Sequence, residues 1–384
     1  MADPQARAQV VDPSPYGINA HVARDAILES LASIGIRWLR VDVDWDQIET
    51  QQGVFDWRVM DQMLATARRL GLSVLASVAY TPAWASGSTN RATPPRDPAH
   101  FHDFVQAFLQ RHRSAVHAIG LWNEPNLRQF FNASRDQYLR DILLPGLLVV
   151  RQTAPEVLTA GPDLSSSGNP IPDWLRPILQ AASGMLDVVA HHQYDGGDTV
   201  SGRVRAIESV HDFLAAEGHS QPLWITEIGW DRVSEPEQAN RLRSIMEAMR
   251  ARPWWSRTFW YDSHGPRSGI LQDDLSPQPG APKPAFFAYR DVIAQGGAMP
   301  NFRHVVTLAY NRILLRQPDP GGLDSWNSAM NQGLTEAQLH EAFLRSAEYS
   351  QRFPDTGAAA RKKRKTGDAT RAKGRKPAKR VRRG

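Results

Sequence analysis

The chain contains no cysteine. Disulfides, zinc–thiolate centres and cysteine nucleophiles are excluded, and the redox compartment stays open. No apolar run is long enough for a membrane-spanning helix. The N-terminus, MADPQARAQVVDPSPYG, has no apolar leader of the signal-peptide type as written. No Gly-x-Gly-x-x-Gly follows the first strand-like run, so the usual dinucleotide fingerprint is missing.

Acidic charge is scarce in one place only. Residues 361–384 hold thirteen Lys or Arg and a single Asp, a net +12 within a whole-chain total of +5. The rest of the chain therefore carries −7. The high isoelectric point describes the tail, not the body.

What remains is long and apolar enough to fold: 384 residues, 41% hydrophobic. That suits one large domain, or a large one with a small companion. Twelve tryptophans fit cores and carbohydrate grooves alike. Eight short apolar or β-branched runs alternate with amphipathic runs of helical period. The strand-like runs begin near Tyr16, Ile36, Leu72, Val116, Val157, Leu186, Pro222 and Ser256. Strict alternation means a parallel sheet, and eight units predict a closed (β/α)8 barrel over 16–296. An open doubly wound sheet is the competing arrangement. Residues 1–15 read as an N-terminal extension. From 301 to 353 the strand signal stops, and short helices split by QPDPGG and NQGLT predict a small all-α domain. It is expected to pack on itself through Leu308, Tyr310, Leu314, Trp326, Leu339, Phe343 and Tyr349. From 356 to 384 almost nothing can be buried, and a disordered basic tail is expected.

Active sites of such barrels form at the C-terminal ends of the strands. The second strand ends in RVDVDWD, with Arg40, Asp42 and Asp44 on one face. The fourth delivers Asn123 and Glu124 and the sixth His191, His192 and Tyr194. The seventh delivers Glu227 and the eighth Trp260, Tyr261 and Asp262. Two glutamates thus face each other across the mouth. Glycoside hydrolysis needs such a pair: one protonates the leaving oxygen, and the other attacks the anomeric carbon or activates water. Their environments must keep one protonated and the other ionised. Arg40 and the Tyr194 hydroxyl could keep Glu227 charged. Asn123 could donate to a sugar 2-hydroxyl.

The segments RVDVDWDQIE, GVFDW, YTPAWAS, GLWNEPN, HHQY and WITEIGW stand in the order found in retaining β-glycosidases of glycoside hydrolase clan A. The chain most resembles family 39, bacterial exopolysaccharide hydrolases included, from Tyr16 to Ile293. WNEPN is specific, and ITEIGW at a Glu-to-Glu spacing of 103 residues makes the match strong. The resemblance implies Glu124 as acid/base, Asn123 as its 2-hydroxyl partner and Glu227 as nucleophile. It implies Arg40, His192 and Tyr194 as supporting contacts and Trp260 as a platform for the sugar ring. It also implies retention of configuration, carboxyl groups ~5 to 5.5 Å apart, and no cofactor or metal.

Each assignment has a plainer rival. Arg40 could simply be the buried partner of Asp42 or Asp44. One of the two histidines should be structural, and His192 fits the resemblance better. A metal held by His191, His192 and Asp195 is disfavoured, because adjacent strand residues point to opposite faces. Tyr80 and Trp84 either floor a sugar subsite or pack the third loop. His21 contacts sugar or caps the first helix. Asn132 in NAS reads as helix entry rather than a glycosylation site. The 301–353 segment resembles the domain of unknown function numbered 4214, through YNRILLRQPDPGGLDSWNSAMNQG and FLRSAEYSQRF. Its PDPGG is expected as a tight turn rather than a calcium site.

The tail at 361–384 lacks interleaved aromatics, so base stacking is not expected. It is either a solvated run or a binder of polyanions, nucleic acid or acidic polysaccharide. Two alternatives to an enzyme follow: a catalytically silent carbohydrate-binding barrel, and a polyanion-binding protein acting through the tail. A polysaccharide substrate implies export, though no export signal is written in the chain. The sugar, the linkage and endo or exo action depend on loop shape, which sequence does not give.

Overall fold

The computed structural model describes residues 12–167, 171–266, 268–273, 278, 280–296 and 302–354. The basic tail and most of the N-terminal extension lie outside them.

Eight parallel strands close into a barrel in sequence order. They are β1 (Tyr16–Asn19), β2 (Trp38–Asp44), β3 (Ser73–Ala79), β4 (Ala118–Leu121), β5 (Leu158–Ser165), β6 (Val188–His192), β7 (Leu223–Ile228) and β8 (Arg257–Trp260). Closure comes from β1 pairing with β8, Gly17 opposite Phe259. A helix follows every strand: Asp25–Ser33, Arg58–Arg69, Ala99–His112, Leu144–Thr153, Ile171–Ala181, Val200–Ala216, Glu235–Arg250 and Pro284–Gln295. The helix Arg58–Arg69 shows why: Met60, Met63, Leu64 and Ala67 recur at helical spacing and are buried against the sheet. All eight strand-like runs form strands. β5 extends further than its apolar run, through Asp163 to Ser165, with a register shift against β6 between Pro162 and Leu164.

The interior changes character from bottom to top. At the bottom Trp38, Leu75, Ala118, Leu158, Val188, Trp224 and Phe259 pack into one apolar cluster. Gly17 is needed beside it, since a Cβ there would lie 2.5 Å from the Phe259 ring. Arg257 stacks on Trp38 and Trp224 and donates to the carbonyls of Asp12 and Ser14, closing that end. Above this layer the inward side chains become polar. Asn19, Arg40, Ser77, Asp163, His192 and Thr226 are all buried.

The C-terminal unit holds helices at Arg303–Ala309, Tyr310–Leu314 (a π-helical turn), Pro320–Asn331, Glu336–Leu344 and Ala347–Arg352. Tyr310, Leu314, Leu339, Phe343 and Tyr349 form its own core, with Trp326 against it. Leu308 departs from the expectation. It joins the cluster at the barrel bottom, beside Trp38, Trp224 and Phe259. Arg312 adds hydrogen bonds to the carbonyls of Pro155, at 2.6 Å, and Glu156, at 3.1 Å. In PDPGG, Asp319 caps the helix Pro320–Asn331 by accepting from the N–H of Gly322. No helix among the described residues is long and apolar enough to cross a membrane.

Candidate active site

The top of the barrel is where the backbone departs from ordinary geometry. Of six non-glycine residues with positive φ among those described, five lie at or near strand ends there: His21, Tyr80, Trp122, Glu124 and Asp163. Each such residue costs on the order of 1–3 kcal/mol and persists only where its surroundings impose it. In the β4 loop the constraints are visible. Trp122 is fully buried against Phe101, Phe131 and Tyr80. Its indole N–H donates to the Phe130 carbonyl at 2.8 Å. Asn126 pins the far side, donating to the Ser165 carbonyl and accepting from the Ser165 N–H. The Glu124 N–H donates to the Asp163 carbonyl at 3.1 Å. Glu124 is therefore held by its loop before any side-chain contact is counted.

Glu227 faces Glu124 from β7. Arg40 donates to its Oε1 at 2.8 Å, and the Tyr194 hydroxyl donates to its Oε2 at 2.6 Å. The same guanidinium reaches Asn19 at 3.0 Å, Ser77 at 3.1 Å and Asn123 at 2.7 Å. Arg40 is thus the partner of Glu227 and Asn123, whereas Asp42 pairs with His21 and Asp44 with Arg91. Burial pushes the Tyr194 phenol well above its ordinary range, and the charge of Glu227 pushes it further, so it stays a donor.

His192 lies between the two glutamates. Its Nδ1 is 2.9 Å from Glu124 Oε1 and 3.5 Å from Glu227 Oε1. Burial alone would discharge it. The charge of Glu227, with Asp163 and Glu124 beside the ring, outweighs burial and lifts its pKa to about 9. Burial would raise the Glu124 carboxyl, but the imidazolium at hydrogen-bond distance holds it below its ordinary value. His191, on the same strand, is fully buried, bonded to Gln193, and pushed down to about 4 by burial.

One atom each of Glu124, His192 and Glu227 lie within 4.8 Å of one another, which is metal-ligand spacing. The guanidinium on the same Glu227 oxygen makes this an unfavourable place for a cation.

The remaining predicted residues are placed as follows. Tyr80 meets the site through Asn123, whose amide donates to its hydroxyl at 3.3 Å. Its ring lies under Arg91, 3.9 Å from ring centre to guanidinium carbon. His21 Nδ1 is 2.8 Å from Asp42, and its ring meets Tyr261 edge-on. Trp84 donates to the Glu49 carbonyl and packs on Trp45 and His100. Trp260 requires a correction. It is fully buried, donates to the Ser268 carbonyl and leans on Trp230. A ring with no exposed face cannot be a platform without moving the wall. Tyr261, partly exposed beside His21 and Tyr194, is the aromatic that β8 presents to the mouth. Sequence reasoning missed Asp163 altogether. The only signal was a charged residue inside the otherwise uncharged VLTAGPDLS.

Residues 96–289, just over half of the chain, match the family described as glycosyl hydrolase catalytic core. The chain belongs to that family. Residues 294–353 match the domain of unknown function DUF4214. Solved structures share the glycosyl hydrolase fold at low identity. A family 39 glycoside hydrolase from Bacteroides cellulosilyticus WH2 is 20% identical with a TM-score of 0.60, covering 76% of this chain and 64% of that one. The chain thus spans less than two thirds of that enzyme. A GH39 β-xylosidase from Caulobacter crescentus is 20% identical, TM-score 0.60, covering 74% and 72%. A GH5 subfamily 18 protein from Streptomyces cattleya, in complex with Manb1-4GlcNAc, is 18% identical, TM-score 0.59, covering 83% and 92%. Comparison with curated proteins gave no match.

Proposed function

We propose that this glycosyl hydrolase cleaves β-glycosidic bonds in a poly- or oligosaccharide, bacterial exopolysaccharide included, with retention of configuration. The observation that carries the reading is the spacing of the two carboxylates. Oxygens of Glu124 and Glu227 lie within 4.8 Å of each other and of one imidazole nitrogen. Inverting pairs stand ~6.5–9.5 Å apart to admit a water between carboxyl and sugar, whereas retaining pairs are close. The electrostatics support the same roles. Glu227 accepts from Arg40 on one oxygen and from Tyr194 on the other, which holds it in place as a nucleophile requires. Glu124 lies 2.9 Å from His192 Nδ1, within reach of a group that can exchange a proton with it. The β-linkage is supported by the β-xylosidase among the structural neighbours.

In the first step Glu227 bonds to the anomeric carbon while the glycosidic C–O bond breaks and Glu124 protonates the leaving oxygen. In the second, water attacks that carbon, Glu124 takes its proton, and the ester to Glu227 opens. Asn123, anchored by Arg40, would grip the 2-hydroxyl. Tyr261, Tyr80 and His21 would contact the ring or its neighbours.

The test is intact-protein mass spectrometry after exposure to a panel of 2-deoxy-2-fluoro β-glycosides. A sugar-sized adduct on Glu227, absent in Glu227→Gln, is expected. No adduct with any sugar, together with no turnover of β-glucans, xylans or exopolysaccharides, would favour a silent carbohydrate-binding barrel.

A further inference from the structure

Asp163 is built into the floor of the site. Its backbone φ is +53°, and the register shift in β5 falls at its position. Gly120 opposite it leaves the space: a Cβ there would sit 3.0 Å from Asp163 Oδ2. The Thr226 hydroxyl donates to Asp163 Oδ1 at 2.5 Å. The carboxylate lies 3.5 Å from His192 Nε2 and 3.6 Å from Arg40 Nη2, and it is 1% exposed. Burial alone would protonate it, yet Arg40 and His192 hold it near 2. A strained backbone and a buried charge persist here because something is fixed by them.

The surroundings of His192 show what. Glu124 faces it from β4, Asp163 from β5, Glu227 from β7 and Arg40 from β2. On its own strand His191 is held neutral by burial. Both ring nitrogens look at carboxylates, and a neutral imidazole would turn one lone pair toward a negative charge. We propose that Asp163 is a positioning residue: its carboxylate behind His192 keeps the imidazole doubly protonated, and so stores the proton that Glu124 delivers.

This rests on the glycosidase reading for its chemical use. As the glycosidic C–O bond breaks, its electrons go to the leaving oxygen. Glu124 passes to it the proton taken from His192 Nδ1, and Glu227 closes the ester. In the second step the proton of the attacking water goes to Glu124 and thence back to His192 Nδ1. No proton is gained or lost over the cycle.

The experiment uses the full chain with 15N-labelled histidine, the His192 signal being assigned by its loss in His192→Gln. At pH 7 the wild-type ring should show two protonated nitrogens, and Asp163→Asn should show a neutral imidazole in the same range. On whichever 4-nitrophenyl β-glycoside is turned over, the basic limb of kcat should move down by about one pH unit or more, with KM nearly unchanged. Thr226→Val removes the donor that orients Asp163 and should move the limb the same way, so it carries the test if Asp163→Asn does not fold. A merely structural role would lower stability and leave the limb in place. A neutral His192 in the wild type, or an unmoved limb in both variants, would overturn the proposal. The nuclear resonance readout needs no turnover, so its failure is distinguishable from failure of the glycosidase reading.

Discussion

Arg40 on β2 reaches across the barrel mouth to Glu227 on β7 and donates to its Oε1 at 2.8 Å. The same side chain serves Asn19, Ser77 and Asn123, which only a planar fork of donors can do. Arg40→Lys should fold but lose roughly 100-fold in kcat/KM, the scale of one preorganised donor. Arg40→Met should also lose about 3–5 kcal/mol of stability, because it strands a buried carboxylate. Urea unfolding beside steady-state kinetics separates the two effects. Wild-type kinetics in Arg40→Lys would mean that the charge, rather than the fork, is what matters.

His21 gives a stability dependence on pH. Burial lowers its pKa, but its hydrogen bonds to Asp262 and Asp42 outweigh burial and lift it from 6.5 to about 10. A raised folded-state pKa stabilises the fold fully below the unfolded value and loses that stabilisation as pH climbs through the folded one. The melting-temperature gap between wild type and His21→Gln should be constant below about pH 6.5 and close toward pH 10. A gap that is flat from pH 6 to 10 would show that the ion pair does not stabilise the fold.

Tyr261 and Trp260 should separate cleanly. Tyr261→Ala is expected to raise KM with little loss of stability, because its ring is partly exposed at the mouth. Trp260→Ala is expected to cost about 3–5 kcal/mol, the range for emptying a buried aromatic site. Thermal melts and kinetics on both variants decide the matter. A Trp260 variant that melts normally but binds poorly would reverse the assignment.

Leu308 ties the helical unit to the barrel floor. Leu308→Ala should destabilise the whole molecule by about 2–5 kcal/mol and leave kcat/KM unchanged. A second, earlier unfolding transition confined to the helical unit would contradict this coupling.

The two glutamates were legible in sequence because each sits in a dense, unusual local context, WNEPN and WITEIGW. Asp163 was not. Its inward placement depends on the shift in β5 register after Pro162, which inverts the face a simple alternation assigns. Trp260 and Tyr261 show a related limit: adjacent residues at a strand end differ in exposure, and the resemblance pointed to the buried one. Leu308 looked like any other apolar residue of its helix, and only docking shows that it enters a different core.

By itself, then, the sequence determined the alternation of eight strands and eight helices, since periodicity is a local property. It also determined which residue types reach the strand ends. Tertiary structure alone decided how those residues share charge. Arg40, Asp163 and His192 come from strands far apart in the chain, and their protonation depends on distances of a few ångströms in a buried volume. No linear pattern encodes those distances, because they arise only when the barrel closes and excludes water.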